Sequence, residues 1–534
     1  MKWRFWNLDY FLRFFRCSVR QPNEKKGWCS LIVASLLAGF WGCGLVQVFS
    51  PPEVKAAFTF QTIQVRARQL AKEPYHDPKG QVPEFLLKID YDSWRDIRFR
   101  PEKALWKKEK VLFNVQLFHP GSLYNRTVKI NIVDRLGIKP LPLSTDLFNY
   151  GKNDFKDRIP AGLGFAGFRL HYPVNTKDYY DEVAVFLGAS YLRGVAQKQQ
   201  YGMSARGLAI DTGLSHGEEF PYFKEFWIVK PAPNATEITV YALLDSESVT
   251  GAYRYVIKPG KETVMGVKST LFKRKDIDKL GIAPLTSMFF YAENTNCRLS
   301  DDFRPEVHES DGLMIAFRSG EWLWRPIQNP RMLQINSFDA PKPVGFGLLQ
   351  RDQDFNNYQD LETRYELRPS VWVTPHGKWG EGHVELIQIP SDTEINDNII
   401  AFWVPAGQPG KGEPISYSYT MSWHFPNGIR PPGGHVVSTR TAKGRDERSK
   451  KFIIDFAGGY LESLPPDKPL TGMVTVDHRT RLIEQQLFKN RVTQGWRLVF
   501  QILLEKPGTM DKILPFKNAP LELRAFLKEG ENVI

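Results

Sequence analysis

The chain has 534 residues, 42% hydrophobic and 24% charged, which is ordinary globular usage and excludes disordered and collagen-like structure. Its formal charge of +12 is biased to the N-terminus: residues 1–57 hold 8 Lys+Arg against 3 Asp+Glu, leaving +7 on the other 477. No Lys/Arg cluster of the nucleic-acid kind stands out in that remainder, so nucleic acid is excluded as a partner.

Residues 1–26 carry Lys2, Arg4, Arg13, Arg16, Arg20, Lys25 and Lys26, and Gly27–Ser50 then runs for 24 residues without a charge. A basic stretch followed by an apolar one reads as an export signal, with Val54-Lys55-Ala56 as a small-residue cleavage site. The run exceeds the usual signal core of roughly 7–15 residues and is also long enough to span a bilayer uncleaved, so 1–57 reads as a cleaved leader or a retained anchor. Either way the body is exported. Cys17, Cys29 and Cys43 lie in the leader, Cys297 is the one thiol beyond it, and no CxxC spacing exists. The fold therefore rests on its core rather than on disulfides or a structural zinc.

The spacing of Ile63, Val65, Leu70 and Ala71 predicts a helix over Phe60–Lys72. Beyond it the signal is strand. Val111–Phe118 and Thr127–Val133 alternate, and Glu237–Leu243 with Ala252–Ile257 flank the turn residues Asp245–Gly251. Pro426-Asn427-Gly428-Ile429-Arg430-Pro431-Pro432-Gly433-Gly434 can continue neither a ladder nor a helix and reads as a linker over 426–434. After it Lys451–Phe456, Thr471–Val476 and Trp496–Leu504 alternate. The fold class is all-β: a large β-sandwich over 58–425 and a smaller sandwich over 435–534.

Most motifs fail on context. Gly162-Leu163-Gly164-Phe165-Ala166-Gly167 has dinucleotide spacing but leads into the strand-like Phe168–Tyr172, so it reads as tight turns. Ser204 in Gly202-Met203-Ser204-Ala205-Arg206-Gly207 misses the nucleophile elbow by one residue. His308-Glu309 lacks the second His of a zincin, and Asp352-Gln353-Asp354-Phe355-Asn356 lacks the glycine and distal carboxylate of a calcium loop. One region stands out. Trp322, Trp324, Trp372, Trp379 and Trp403 are interleaved with Glu306, Glu309, Asp311, Asp352, Asp354, Asp360, Glu362 and Asp397, and with Arg325, Arg351, Arg364 and Arg368. Aromatic faces stack on pyranose C–H faces, while carboxylates and guanidinium groups bond hydroxyls, so this mixture suits a sugar chain. Glycosidase chemistry asks in addition for one protonated and one ionised carboxyl.

Leu187-Gly188-Ala189-Ser190-Tyr191, Tyr201–Thr212, Glu218-Glu219-Phe220-Pro221, Arg304-Pro305-Glu306-Val307-His308, Gly320–Pro326, Gly345–Gln350, Tyr365–Ser370 and Asn396-Asp397-Asn398-Ile399 resemble the periplasmic glucan biosynthesis family OpgG/OpgD, also called MdoG. The resemblance runs from about residue 58 to the C-terminus and is dense before the linker. It implies a large β-sandwich with a carbohydrate groove joined to an immunoglobulin-like sandwich, working in the periplasm on osmoregulated glucans with a β-1,2-linked backbone. It also implies an anomer-inverting β-1,2-glucanase, with Asp397 as general acid and Glu309 as general base. Better-known members carry Asp where this chain has Glu309. An extra methylene displaces the carboxylate by roughly 1–1.5 Å, and shifts of that size can cost on the order of 100-fold in rate.

Trp322, Trp324, Arg325, Tyr358, Tyr365, Arg368 and Trp379 are candidates for sugar subsites, against the plain reading of core aromatics and structural ion pairs. The two-carboxylate chemistry calls for no metal and no other cofactor. The expected partner is a β-1,2-glucan, with the membrane glucan glucosyltransferase a candidate second partner and homodimer assembly left open. Two rival readings are a non-catalytic glucan-binding module and a structural partner of the synthase.

Overall fold

The structure, a computed structural model, describes residues 58–295, 301–426, 431–505 and 520–534. Residues 1–57, read from sequence as a leader or anchor, Cys297 and the middle of the Pro/Gly segment lie outside the described residues. The all-β expectation holds. Two large sheets face each other across one core. In the first the strand order is Asn114–Phe118, Gly167–Tyr172, Asp181–Leu187, Tyr191–Gly194, Ser204–Arg206, Leu280–Ser287, Ile399–Pro405, Gly382–Gln388 and Gln334–Asp339, with Ala209–Ile210 also pairing onto Leu280–Ser287. The second is built around Pro414–His424, Thr263–Lys273, Val249–Lys258 and Ile238–Asp245, and ends at Trp322–Pro326 on one side and Gly137–Leu141 on the other. The only parallel pairing in these two sheets joins Tyr222–Val229 to Lys129–Asp134.

Alternation explains which face is which. Leu192, Ala205 and Leu285 point into the shared core, together with Phe168, Leu170, Phe186, Tyr253 and Trp423. Their neighbours Tyr191, Arg193, Ser204, Arg206 and Thr286 therefore lie on the opposite, outer face of the first sheet, because successive side chains alternate. The core is close-packed enough that glycine is required where rings cross a strand. A Cβ on Gly312 would sit 2.2 Å from the Trp324 ring. Gly312→Ala is expected to destabilise by about 1–3 kcal/mol, an overpacking cost read by chemical or thermal unfolding.

The helix runs Phe60–Leu70 and lies on the outer face of the second sheet. Ile63 and Ala67 are its buried positions, packed with Trp227, Leu243, Ala252 and Phe272, whereas Val65 points to solvent. The apolar stripe is thus narrower than the sequence spacing suggested. Thr250 Oγ1 donates to the Ala67 carbonyl at 2.7 Å, and Arg66 reaches Glu225 at 2.8 Å.

After the Pro/Gly segment, His435–Lys443, Ser449–Ala457, Trp496–Leu504 and Thr480–Lys489 form a four-stranded sheet, and Thr471–Val476, Leu523–Glu529 and Asn532–Val533 a second one. Ile454, Phe456, Trp496, Leu498, Phe500 and Leu527 fill the space between them. This unit touches the edge strand Trp322–Pro326 and its surroundings: Arg325 forks onto Glu522 at 2.7 and 2.9 Å, Asn336 donates to Glu522 at 2.9 Å, and Arg524 pairs with Glu321. Among the described residues no helix is long and apolar enough to cross a membrane.

Candidate active site

Ser287-Met288-Phe289, at the end of a central strand, is the segment on which the two candidate carboxyls converge. On one side the Glu309 N–H donates to the Met288 carbonyl at 2.8 Å. On the other, Asn398 N–H donates to the Ser287 carbonyl at 3.0 Å, and its side chain both accepts from Phe289 N–H at 2.8 Å and donates to the Phe289 carbonyl at 3.0 Å. Asn398 also donates to the Ile389 carbonyl at 3.1 Å. A buried amide with its oxygen and nitrogen both engaged fixes the strand start, and with it the orientation of its neighbour Asp397. Ser287 Oγ and Ser310 Oγ are 2.7 Å apart and tie the Glu309 segment to the same strand.

Glu309 is 2% exposed and forms a short ion pair with Arg368, itself 7% exposed. Burial pushes its carboxyl up to about 7; the Arg368 guanidinium opposes that shift, the Asp397 charge adds to it, and Arg193 opposes it again. Asp397 is partly buried and is likewise raised by desolvation, against the pull of Arg193, Thr286, Arg206 and Arg368. Burial thus raises both carboxyls, and the Asp397 charge makes ionisation of Glu309 harder still. Because the folded state binds the Asp397 proton more tightly than the unfolded chain does, the stability this group contributes falls as pH rises above its ordinary 3.8. Asp397→Asn is therefore expected to gain in melting temperature relative to the parent as pH is taken from 4 to 8, a trend that thermal unfolding across that range measures.

Behind the pair lies a fully satisfied network. His308 is buried, with Nδ1 2.9 Å from Gln350 Oε1 and Nε2 3.0 Å from Glu306 Oε2, and its ring stacks on Phe289. Gln350 Nε2 donates to Tyr358 Oη and to the His308 and Tyr365 carbonyls. Arg304 gathers three loops, reaching Asp302 at 2.7 Å, Asp360 at 3.1 Å and Glu394 at 2.6 Å, while Tyr365 Oη donates to Glu394 at 3.1 Å. Glu394 belongs to the loop that ends in Asp397, so this hub positions the candidate acid.

On the neighbouring strands, Arg206 (3% exposed) pairs with Glu218 at 2.5 Å, between the Tyr191 and Phe220 rings, and Thr212 Oγ1 donates to the same carboxylate at 2.7 Å. The segments around Tyr191, Tyr201–Thr212 and Glu218–Pro221, singled out by sequence but given no role, thus meet beside Asp397.

The candidate residues fall into three places. Asp397, Glu309 and Arg368 come together, with Tyr358 (0% exposed) and Tyr365 (1%) directly behind them; neither tyrosine ring offers a face to a ligand. Trp322, Trp324 and Arg325 lie on the edge strand against the C-terminal unit: Trp322 stacks on Trp372, Arg351 sits 3.5 Å above the Trp324 ring, and Arg325 is engaged with Glu522. Trp379 packs in the core against Trp403 and Tyr417 and donates to the Ser418 carbonyl at 3.1 Å. Asp311, another of the acidic residues in the tryptophan-rich stretch, pairs with Arg351 at 3.6 Å. Ser204 accepts from Arg193, and Asp354 accepts from Asn356 N–H at the start of a short helix, a turn role. Sequence reasoning missed Arg193, Arg206 and Glu218.

Two cavities lie elsewhere. One of about 730 Å³ is lined by Arg440, Lys451, Asp455, Phe488 and Arg497, and one of about 460 Å³ by His216, Lys279, His383 and Glu385; neither shares a lining residue with the carboxyl cluster. Among the described residues no group of three or more His, Cys, Asp or Glu is arranged to hold a metal.

Residues 58–534 match the family model described as periplasmic glucan biosynthesis protein, MdoG. The chain belongs to that family. It is 46% identical over 485 residues to a glucans biosynthesis protein G of Ralstonia nicotianae, covering 89% of this chain and 94% of the relative. To proteins of the same name from Pseudomonas paraeruginosa and Pseudomonas aeruginosa it is 41% identical over 482 residues, covering 88% of this chain and 90% of each. The match begins at residue 58, where the described structure also begins, so residues 1–57 lie outside both.

Proposed function

We propose that this family member acts in periplasmic glucan biosynthesis by binding a β-1,2-linked glucan backbone and hydrolysing it with inversion. The observation that carries this reading is the pairing of buried Glu309 with partly buried Asp397, mutually sensitive carboxyls set among Arg193, Arg206 and Arg368. Asp397, raised by burial, is the proton donor to the departing glycosidic oxygen. Glu309, whose charge Arg368 favours, draws a proton from the attacking water. An inverting enzyme leaves room for that water, with carboxyls about 6.5–9.5 Å apart.

One observation favours a second reading, a glucan-binding module without turnover. Glu309 reaches one methylene further than the aspartate expected there and is held by Arg368. A carboxylate locked in an ion pair is a poorer base for a water on the far side of the sugar. Incubating the full-length protein with linear β-1,2-glucan and counting new reducing ends separates the two. Turnover supports the hydrolase; binding without new ends supports the module; neither result would leave the glucan reading standing on family membership alone.

A further inference from the structure

Every arginine around the two carboxyls except one is already spoken for. Arg368 pairs with Glu309, Arg206 with Glu218, and Arg304 with Asp302, Asp360 and Glu394. Arg193 has no carboxylate within ion-pair distance among the described residues. Its one hydrogen bond runs from Nε to Ser204 Oγ at 2.6 Å, which fixes the guanidinium plane and leaves its terminal N–H groups uncommitted.

The register explains where that plane sits. Leu192 pairs with Ala205, and both point into the core, so Arg193 and Ser204 lie side by side on the outer face. Ser204 pairs in turn with Thr286, and Thr286 with Ile400, two residues into the strand that Asp397 and Asn398 precede. Four neighbouring strands thus bring Arg193 to the Asp397 end of the sheet. It acts on both carboxyls while bound to neither. Arg206 Nε, on the same face, is buried with no hydrogen-bond partner among the described residues. Buried polar atoms are normally satisfied, so this orphan fits a place that a polar ligand completes.

We propose that Arg193 is a further substrate-binding residue of this centre, its guanidinium held by Ser204 so that its terminal N–H groups bond the sugar hydroxyls at the scissile linkage. The inference rests on the glucan reading above. Binding a hydroxyl there while carrying a fixed positive charge has a second consequence. The groups facing Asp397 are Tyr191 and Arg193 from one strand, Arg206 from the next, and Glu309 with Arg368 across the site. Removing the one unpaired cation from this set makes ionisation of both carboxyls harder, so the pH–rate profile moves to higher pH as a whole.

The test uses the full-length protein with linear β-1,2-glucan, comparing Arg193→Gln, Arg193→Lys and Ser204→Ala with the parent and with Asp397→Asn. Calorimetry reads affinity, and reducing-end formation reads kcat, KM and their pH dependence. Arg193→Gln is expected to lose roughly 10–100-fold in affinity or kcat/KM, as for a lost charged hydrogen bond, with its profile shifted upward. Arg193→Lys keeps the charge and the original profile while losing fork geometry. Ser204→Ala keeps the cation but frees it, with a smaller loss and an unshifted profile; it serves where Arg193→Gln fails to fold. Unchanged affinity, rate and profile in Arg193→Gln, with Asp397→Asn inactive, would overturn the inference and leave the hydrolase intact. A parent that binds glucan without cleaving it, and binds more weakly as Arg193→Gln, would keep Arg193 as a sugar contact while removing the hydrolase. A parent that does neither overturns both.

Discussion

Asp397→Asn is expected to abolish the proposed glucan turnover while leaving glucan binding within a few-fold of the parent. The substitution is nearly isosteric and sits on a strand start fixed by Asn398 through its bonds to Ser287, Phe289 and Ile389, so the backbone has no reason to move. What disappears is the proton. General acid catalysis contributes about 10²–10⁴-fold, and a loss of that size in kcat with KM little changed is the signature of a group that acts only in the transition state. A fall in binding alone would instead make Asp397 a sugar contact. Initial rates of reducing-end formation, with calorimetry on the same preparations, distinguish the two.

Arg368→Met is expected to destabilise the protein by about 3–5 kcal/mol at pH 8, because removing one partner of a buried pair leaves the other charge uncompensated. Glu309 and Arg368 are 2% and 7% exposed, so solvent does little to rescue the carboxylate. The loss is smaller at pH 5. Glu309 is already raised to about 7 by burial, and without the guanidinium its carboxyl rises further, so at low pH it is simply neutral. Stability of the variant relative to the parent therefore falls as pH rises, and denaturant unfolding at the two pH values measures it. Equal losses at both would mean that Arg368 contributes packing over the Tyr365 ring, 4.3 Å away, rather than charge.

The sequence carried much of this fold in plain periodicity. Thr471–Val476 and Trp496–Leu504 are strands with those limits, and Ile238–Asp245 pairs with Val249–Lys258 around the expected turn. Such strands are legible because alternation is local and each one has a wet and a dry side. What alternation cannot say is which dry side belongs to which core, and the aromatic candidates show the consequence. Trp379 and Trp324 look alike as members of a tryptophan-rich stretch, yet one fills the main core and the other lies under Arg351 at the C-terminal unit. Tyr358 and Tyr365 were drawn into the site by their neighbours and stand behind it, their hydroxyls spent on Gln350, Asp352 and Glu394.

The residues that sequence reasoning missed share a different cause. Arg193 is a lone arginine in a four-residue strand, and only the pairing of that strand with Ser204–Arg206 gives it an anchor and a direction. Glu218 acquires meaning from Arg206, twelve residues earlier, across a turn that closes on Thr212. A usable signal did exist: an arginine alternating with core residues in a strand is buried at its stem and must find a partner. Which partner it finds is a property of register, and register between non-neighbouring strands is set by the whole sandwich.

The central claim, that Asp397 and Glu309 form an inverting acid–base pair, is tested most directly by the anomeric form of the first product. Proton NMR during the opening turnovers of linear β-1,2-glucan, before mutarotation, reads the configuration of the new reducing end. The account predicts the α-anomer from the β-linked substrate, and no signal from Asp397→Asn. A β-anomer would mean a retaining mechanism with a carboxylate nucleophile and would contradict the assignment of Glu309 as a base acting through water.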